Sequence, residues 1–429
     1  MPESNQSSPF SVSLDLALDG KGAPPRAAYD KALAATAPVL DWLRQSHADK
    51  SLELLGIPAR TDDFDAAAAL APKFLQDTSE IAVIGIGGSS LGGQALTALR
   101  RRDAKPRLQF HDNPDPHSWA EALAHFDLKT TRIVAISKSG GTAETMMQAL
   151  TAADAFQKAG CNLKDHFIII TEPHKSALSD FADSIGAPKL AHPTGVGGRY
   201  SVLTVVGMLP ALLMGLNAKA LRAGAADTLS RVLAAKNPAD VPAATGAALH
   251  FALAGQDKLA TTILWPYADK LAIFGGWWRQ LWAESLGKDG KGSTPVSVLG
   301  PVDQHSQLQL FRDGPGNALF TLIATDTKGI GPVVSKARAD ALGLQYLSGR
   351  PMGDLVAAEA RATAQTLFKN GRPVRRIHLP KVDEFSVGAL MMHFMIETIV
   401  MGKLMGVDPF DQPGVEEGKV LAKQYLAEG

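Results

Sequence analysis

Ile133-Val134-Ala135-Ile136-Ser137-Lys138-Ser139-Gly140-Gly141-Thr142 is the stretch on which the fold turns. Its first four residues are apolar and mostly β-branched, as suits a strand covered on both faces. A glycine pair ends the run, and Ala143-Glu144-Thr145 opens a helix that extends to about Lys158. Strand, glycine turn and helix make half of a parallel βαβ unit. The turn also carries chemistry. The hydroxyls of Ser137, Ser139 and Thr142, the Lys138 ammonium and unpaired backbone amides converge at a helix N-terminus. Such a set suits a phosphate monoester. The Gly-x-x-x-x-Gly-Lys-[Ser/Thr] spacing of a nucleotide P-loop is absent. Helix capping by Ser139 or Thr142 is the plainer alternative, but a cap takes one hydroxyl and leaves Lys138 unexplained.

The same alternation extends in both directions. Ile81–Ile86, Arg107–His111 and Phe167–Thr171 read as strands, with helices over Leu91–Arg101, Pro116–Phe126 and Ser176–Ser184 between and after them. After Gly198 a long helical region runs to about Ala254. A second alternation follows: strands at Thr261–Trp265, Pro295–Leu299, Ala318–Ile323 and Val374–Leu379, and helices at Lys270–Leu286, Pro351–Asn370 and Ser386–Met405. Continuous apolar strands alternating with helices predict an α/β fold of two subdomains, each a parallel sheet flanked by helices. The first ~60 residues, with Ala/Leu-rich helical spacing over Ala27–Ser46, read as a helical N-terminal arm packed on the body. The boundaries expected are 1–60 for the arm, 61–220 for the first subdomain, and 221–429 for the second with a C-terminal helical tail.

Bulk properties narrow the class. In 429 residues, 45% are hydrophobic, and 43 basic residues balance 43 acidic ones. That balance argues against a protein that coats nucleic acid, and leaves room for a local anion site. Cys161 is the sole cysteine, so an internal disulfide or thiolate metal cluster is excluded. Val202–Leu216 is interrupted by Pro210 and falls short of a span, while Val387–Met405 contains His393, Glu397 and Lys403. Both read as buried helices, and with no leader pattern in Met1–Ser13 the expected location is the cytoplasm, away from membranes.

Five further segments carry candidate chemistry. Gly85-Ile86-Gly87-Gly88-Ser89-Ser90-Leu91-Gly92 joins a strand to a helix and offers backbone amides to a ligand. It matches a dinucleotide fingerprint only loosely: Ser90 stands at the last glycine position, and Asp112 and Asp115 come late for a ribose-binding acid. Gly195-Val196-Gly197-Gly198-Arg199-Tyr200-Ser201 presents an arginine on a glycine turn, able to stabilise an oxyanion or to pair with a carboxylate. In Trp277-Trp278-Arg279-Gln280-Leu281-Trp282-Ala283-Glu284, Gln280 and Glu284 share a helix face, and Trp278 and Trp282 share another that faces the core. Glu284 is a candidate general base, with a salt bridge to Lys288 as the bland alternative. His305 follows Gln304 in a polar turn after a strand. Phe410-Asp411-Gln412-Pro413-Gly414-Val415-Glu416-Glu417-Gly418-Lys419 leads into a last helix bearing Lys419.

Gly197–Ser201, the Glu284 helix, the Gln304-His305 turn and the 410–419 segment, in this order, closely resemble the glucose-6-phosphate isomerases. The resemblance implies two flavodoxin-like sugar-isomerase (SIS) subdomains and a homodimer, with the active-site histidine coming from the neighbouring subunit. It implies reversible isomerisation of glucose 6-phosphate and fructose 6-phosphate through a cis-enediol, as in glycolysis and gluconeogenesis. By motif, Glu284 takes the base position, His305 and Lys419 the ring-opening and acid/base positions, and Arg199 that of the stabilising arginine. Ser137, Lys138, Ser139 and Thr142 match the phosphate loop, and Gly88, Ser89, Gln280 and Gln412 match sugar contacts. A single base serving both proton transfers calls for no cofactor and no metal. Gly140-Gly141 stands where many members carry bulkier residues, implying a looser loop that leaves mannose 6-phosphate open as a substrate. A non-catalytic SIS sugar-phosphate sensor is the main rival; it has no need of Glu284, His305 and Lys419 together.

Overall fold

The computed structural model describes residues 8–101, 103–256 and 259–428; residues 1–7 of the expected arm lie outside them. Among the described residues, ten strands form two five-stranded sheets. The strands are β1 (Ser11–Ser13), β2 (Glu80–Ile84), β3 (Arg107–His111), β4 (Thr131–Ile136), β5 (Phe167–Thr171), β6 (Lys189–Ala191), β7 (Thr261–Pro266), β8 (Thr294–Ser297), β9 (Ala318–Thr325) and β10 (Val374–Leu379). The first sheet has the order β3-β2-β4-β5-β6, and every pair in it is parallel. This is the flavodoxin-like 2-1-3-4-5 order, whose topological switch point lies between its first and third strands. Here those are β2 and β4, so the loops Gly85–Ser90 and Ser137–Thr142 border one crevice.

The second sheet repeats the plan with one exchange. Its order is β1-β10-β9-β7-β8, parallel except at β1, which runs antiparallel to β10 with Val12 opposite Ile377. The chain's own beginning thus takes the edge that a fifth parallel strand would fill. The sequence predicts a helical arm, and this three-residue strand carries no periodic signal. Helices Arg26–Ala35 and Ala37–Ala48 do form the rest of it.

The helices that matter below are α1 (Leu91–Thr97), α2 (Ala143–Lys158), α3 (Ala218–Ala234), α4 (Pro242–Ala254), α5 (Ala272–Leu286), α6 (Met352–Lys369), α7 (Glu384–Met405) and α8 (Glu416–Glu428). α7 lies at the centre of the core; every residue from Ser386 to Gly402 is buried. It is long and apolar enough to cross a bilayer, but protein surrounds it on all sides. Its buried ionisable residues, His393 and Glu397, are paired. Glu397 accepts from Arg375 at 2.6 Å, and lies 3.1 Å from His393 and 3.4 Å from His250. Burial alone would raise the Glu397 carboxyl; Arg375 and then the two histidines outweigh it and hold it at about 2. Trp282 of α5 lies against His250 of α4, and Trp278 against Phe394 of α7. α5 is therefore clamped to the core through its tryptophan face.

Candidate active site

Two glycines set the geometry of the crevice. Gly88 lies directly on the Gly198–Arg199 backbone, and a Cβ there would overlap the Gly198 carbonyl. The loop after β2 is thereby pressed onto the arginine turn, over a contact that only glycine permits. Gly140 has φ +64° and packs on Ser176 and Thr171, so it too excludes a side chain. Gly141 faces open space. The expectation of a loose loop is corrected at Gly140: its backbone is held by close packing, and only Gly141 has room.

The phosphate-type loop leaves the start of α2 without a side-chain cap. Thr142 is the N-cap residue of α2 but makes no side-chain cap bond. Its hydroxyl meets that of Ser137 at 2.9 Å. Ser137 accepts from the Gly140 amide at 3.1 Å, and Ser139 from the Gly141 amide at 3.3 Å. Capping therefore does not account for the hydroxyls, and the first amides of α2 remain open to an anion. Lys138 extends beside Glu172, with 3.7 Å between Nζ and Oε1. Glu172 was missed in the sequence. Parallel register could have found it: Ile136 pairs with Ile170, so two residues on, Lys138 faces Glu172.

Across the crevice, α5 presents Gln280 and Glu284 as its spacing predicts. The Gln280 amide donates to Glu284 Oε1 at 3.0 Å. Arg199 reaches Glu284 Oε2 at 3.4 Å from the other side. The Glu284 side chain keeps 30% of its surface exposed, whereas that of Arg199 keeps 2%. Lys288, the bland alternative partner, pairs instead with Asp411 at 2.6 Å. Glu284 thus stands half-open at the rim, aligned from both sides and not consumed by a neighbouring lysine.

Arg199 is more than a free charge. Nε donates to Ser285 Oγ at 2.7 Å, and Nη1 to Gln412 Oε1 at 2.7 Å as well as to Glu284. Nη2 donates to the carbonyls of Pro409 and Asp411 at 2.7 and 2.8 Å. All five guanidinium N–H groups are engaged. The Arg199 carbonyl in turn accepts from the Trp277 indole at 3.2 Å. Tyr200 beside it bonds Ser285 and Pro409 and is fully buried, which pushes its phenol up to about 12. Ser285, Tyr200 and Trp277 carry no assigned role in the sequence, although each lies within three residues of one that does.

The motif residues divide into two groups. Gly88, Arg199, Gln280, Glu284 and Gln412 are brought together, Gly87 approaching the Gln280 amide. Ser89 sits on the short turn Gly87–Ser89 above them. His305 and Lys419 do not join this group through any contact among the described residues. His305 is exposed at the end of the turn Val302–His305. Lys419 pairs with Glu416 one turn back on α8 at 2.7 Å, and all of α8 is exposed. Asp112, weighed as a ribose acid, is occupied by the Gln94 amide at 2.6 Å and the Ser90 hydroxyl at 3.3 Å. A cavity of about 460 Å³ between α6 and the second sheet contains none of the motif residues.

Two flavodoxin-like sheets, a hydroxyl-rich loop at a switch point and a carboxylate held between an amide and a guanidinium define an α/β protein of the phosphosugar-isomerase fold class. The profile described as Phosphoglucose isomerase matches residues 70–313 and 337–428. The chain belongs to the phosphoglucose isomerase family. It is 38% identical over 374 residues to the probable glucose-6-phosphate isomerase of Haloquadratum walsbyi, covering 87% of this chain and 85% of that protein. The glucose-6-phosphate isomerase of Thermus thermophilus is 36% identical, over 81% and 84% of the two chains. Among solved structures, a hypothetical protein from Thermus thermophilus superposes with a TM-score of 0.87 at 31% identity, covering 97% of this chain and all of that one. A glucose-6-phosphate isomerase from Chlamydia trachomatis superposes with 0.82 at 21% identity, over 98% and 89%, which speaks to the fold.

Proposed function

We propose that Glu284 is the base of this chain's isomerisation of glucose 6-phosphate and fructose 6-phosphate, and that the crevice between the β2 and β4 loops is its active centre. The reaction is an aldose–ketose exchange. In this reading the Ser137–Thr142 loop holds the phosphate, through the amides of α2, three hydroxyls and Lys138. The reacting carbons then lie toward Glu284, with Gly88, Ser89, Gln280 and Gln412 along the sugar. Binding energy at the remote phosphate is spent on orientation at C1 and C2.

His305 and Lys419 open the ring: one proton goes to the ring oxygen and one leaves the anomeric hydroxyl. Glu284 takes the proton from C2 of the aldose, giving a cis-enediol, and returns it to C1. The substrate's own electrons are rearranged, so the balance contains no oxidant or reductant. Arg199 faces the developing oxygen charge through Nη1, and its long 3.4 Å bond to Glu284 is the one that yields. Its other four bonds keep the guanidinium from following, which favours a preorganised charge over a mobile one.

The observation that carries this reading is the alignment of one half-open carboxylate between an amide and a guanidinium, opposite a cradle of phosphate donors. A homodimer in the cytoplasm is the working form in this proposal. It is supported by α8, whose Val420, Leu421, Tyr425 and Leu426 are exposed at 54%, 39%, 64% and 73%. An apolar row of that size calls for a cover, and a second copy would supply one together with its own His305. Purified protein given fructose 6-phosphate, with the hexose phosphates separated, tests the reaction; no glucose 6-phosphate would refute it.

A further inference from the structure

We infer that Gln304 is a positioning residue for His305, acting through a hydrogen-bonded lock with Tyr267 and Thr363. The inference rests on the proposed role of His305 in ring opening. Two side chains hold the turn after β8, and they do different things. Asp303 ties the turn to itself: one carboxylate oxygen accepts the Leu299 amide at 2.7 Å, the other the Ser306 hydroxyl at 2.6 Å. Gln304 ties it to the body of the protein. Its Nε2 donates to Tyr267 Oη at 2.7 Å and Thr363 Oγ1 at 2.6 Å, with the Glu359 carbonyl at 3.3 Å.

Both partners are rigid. Tyr267 is 2% exposed at the end of β7, and its amide bonds Ile323 of β9 at 2.8 Å. Its ring lies flat over Gly300, where a Cβ would come within 2.6 Å of three ring carbons. Thr363 is 3% exposed on α6. One amide therefore joins the turn to the sheet and to a helix at once. The next residue is His305, exposed and without a hydrogen-bond partner among the described residues. Among the described residues nothing holds the imidazole by its own atoms; its position is set by the backbone that Gln304 anchors. A displacement of about 1 Å in a reacting group can cost on the order of a hundredfold in rate, so a lock one residue away has leverage.

The test uses substrates that differ in whether a ring must open. Glucose 6-phosphate is a closed ring. Erythrose 4-phosphate carries its phosphate on the terminal oxygen and has no hydroxyl placed to close one. Gln304→Leu should lower kcat on glucose 6-phosphate by about tenfold or more with little change in KM. It should leave solvent deuterium exchange at C2 of erythrose 4-phosphate within about twofold, because that step needs no ring opening and so no His305. Tyr267→Phe should act in the same direction more weakly, and the double variant should be no worse than Gln304→Leu alone. If Gln304→Leu fails to fold, Tyr267→Phe, which deletes a single oxygen, carries the same comparison. A parallel fall on both substrates, or no fall on either, overturns the inference. His305→Ala is run alongside. If it turns over glucose 6-phosphate normally, the ring-opening assignment fails and the lock's role with it. If it shows the split and Gln304→Leu does not, only the positioning inference fails.

Discussion

Replacing Arg199 by lysine keeps the charge and removes the fork, and the contacts say what that costs. The guanidinium serves five acceptors: Ser285, Glu284, Gln412 and the carbonyls of Pro409 and Asp411. An ammonium has three N–H groups, so at least two acceptors lose their donor. A buried acceptor left unpaired costs about 1–3 kcal/mol, hence about 2–6 kcal/mol for two. If that cost falls on the transition state, kcat drops roughly 30-fold to 10⁴-fold. The loosened element would be the 409–412 segment, which carries Gln412 and leads to α8 and Lys419. The phosphate loop shares none of these bonds. A coupled assay with fructose 6-phosphate should therefore show a large fall in kcat, while the inhibition constant for inorganic phosphate stays within about twofold. A thermal melt run in parallel separates lost catalysis from lost fold. Near-normal kcat, or inhibition weakening in step with kcat, would refute the reasoning.

Gly88→Ala should cut turnover by about a hundredfold or more in steady-state kinetics, since its Cβ has no place but the Gly198 carbonyl; Gly141→Ala, facing open space, should be near wild type. Thr142→Val removes one phosphate donor at nearly constant shape, and should raise KM about tenfold with kcat within about twofold. Acid should destabilise the protein in two stages, read from urea midpoints between pH 8 and 3. Burial pulls His192 and His250 from 6.5 to about 4, so the unfolded chain binds more protons and stability falls from about pH 6.5 downward. Glu397, held at about 2 against an ordinary 4.5, contributes stability above 4.5 that is lost toward 2. A midpoint unchanged between pH 7 and 5 would contradict the first stage.

Much of the scaffold could be read before any coordinates, because parallel strands buried on both faces leave unbroken apolar runs. β2, β4 and β5 are fully buried and each stood out as such a run. β1 and β6 did not: three residues are too few for a period, and β1 exists because β10 offers an edge to pair with. Within the site, contacts at helical spacing were legible, as with Gln280 and Glu284. Contacts between distant segments were not. Arg199 meets the carbonyl of Pro409, 210 residues on, and no local pattern encodes that. The Gly88–Gly198 contact is similar; each glycine is visible, but their meeting joins the loop after β2 to the turn after β6. His305 and Lys419 were marked by motif alone. Neither makes a contact with Glu284 among the described residues, so nothing in the local packing of one chain links them to it.

The most direct test of the account is the Glu284→Gln variant in deuterated water. Glutamine keeps the size and the bond to Arg199 but cannot take a proton from carbon. Glucose 6-phosphate should still bind, with affinity within about tenfold of wild type. NMR should show no exchange of its C2 hydrogen with solvent. Exchange retained at a rate near that of the wild type would contradict Glu284 as the base.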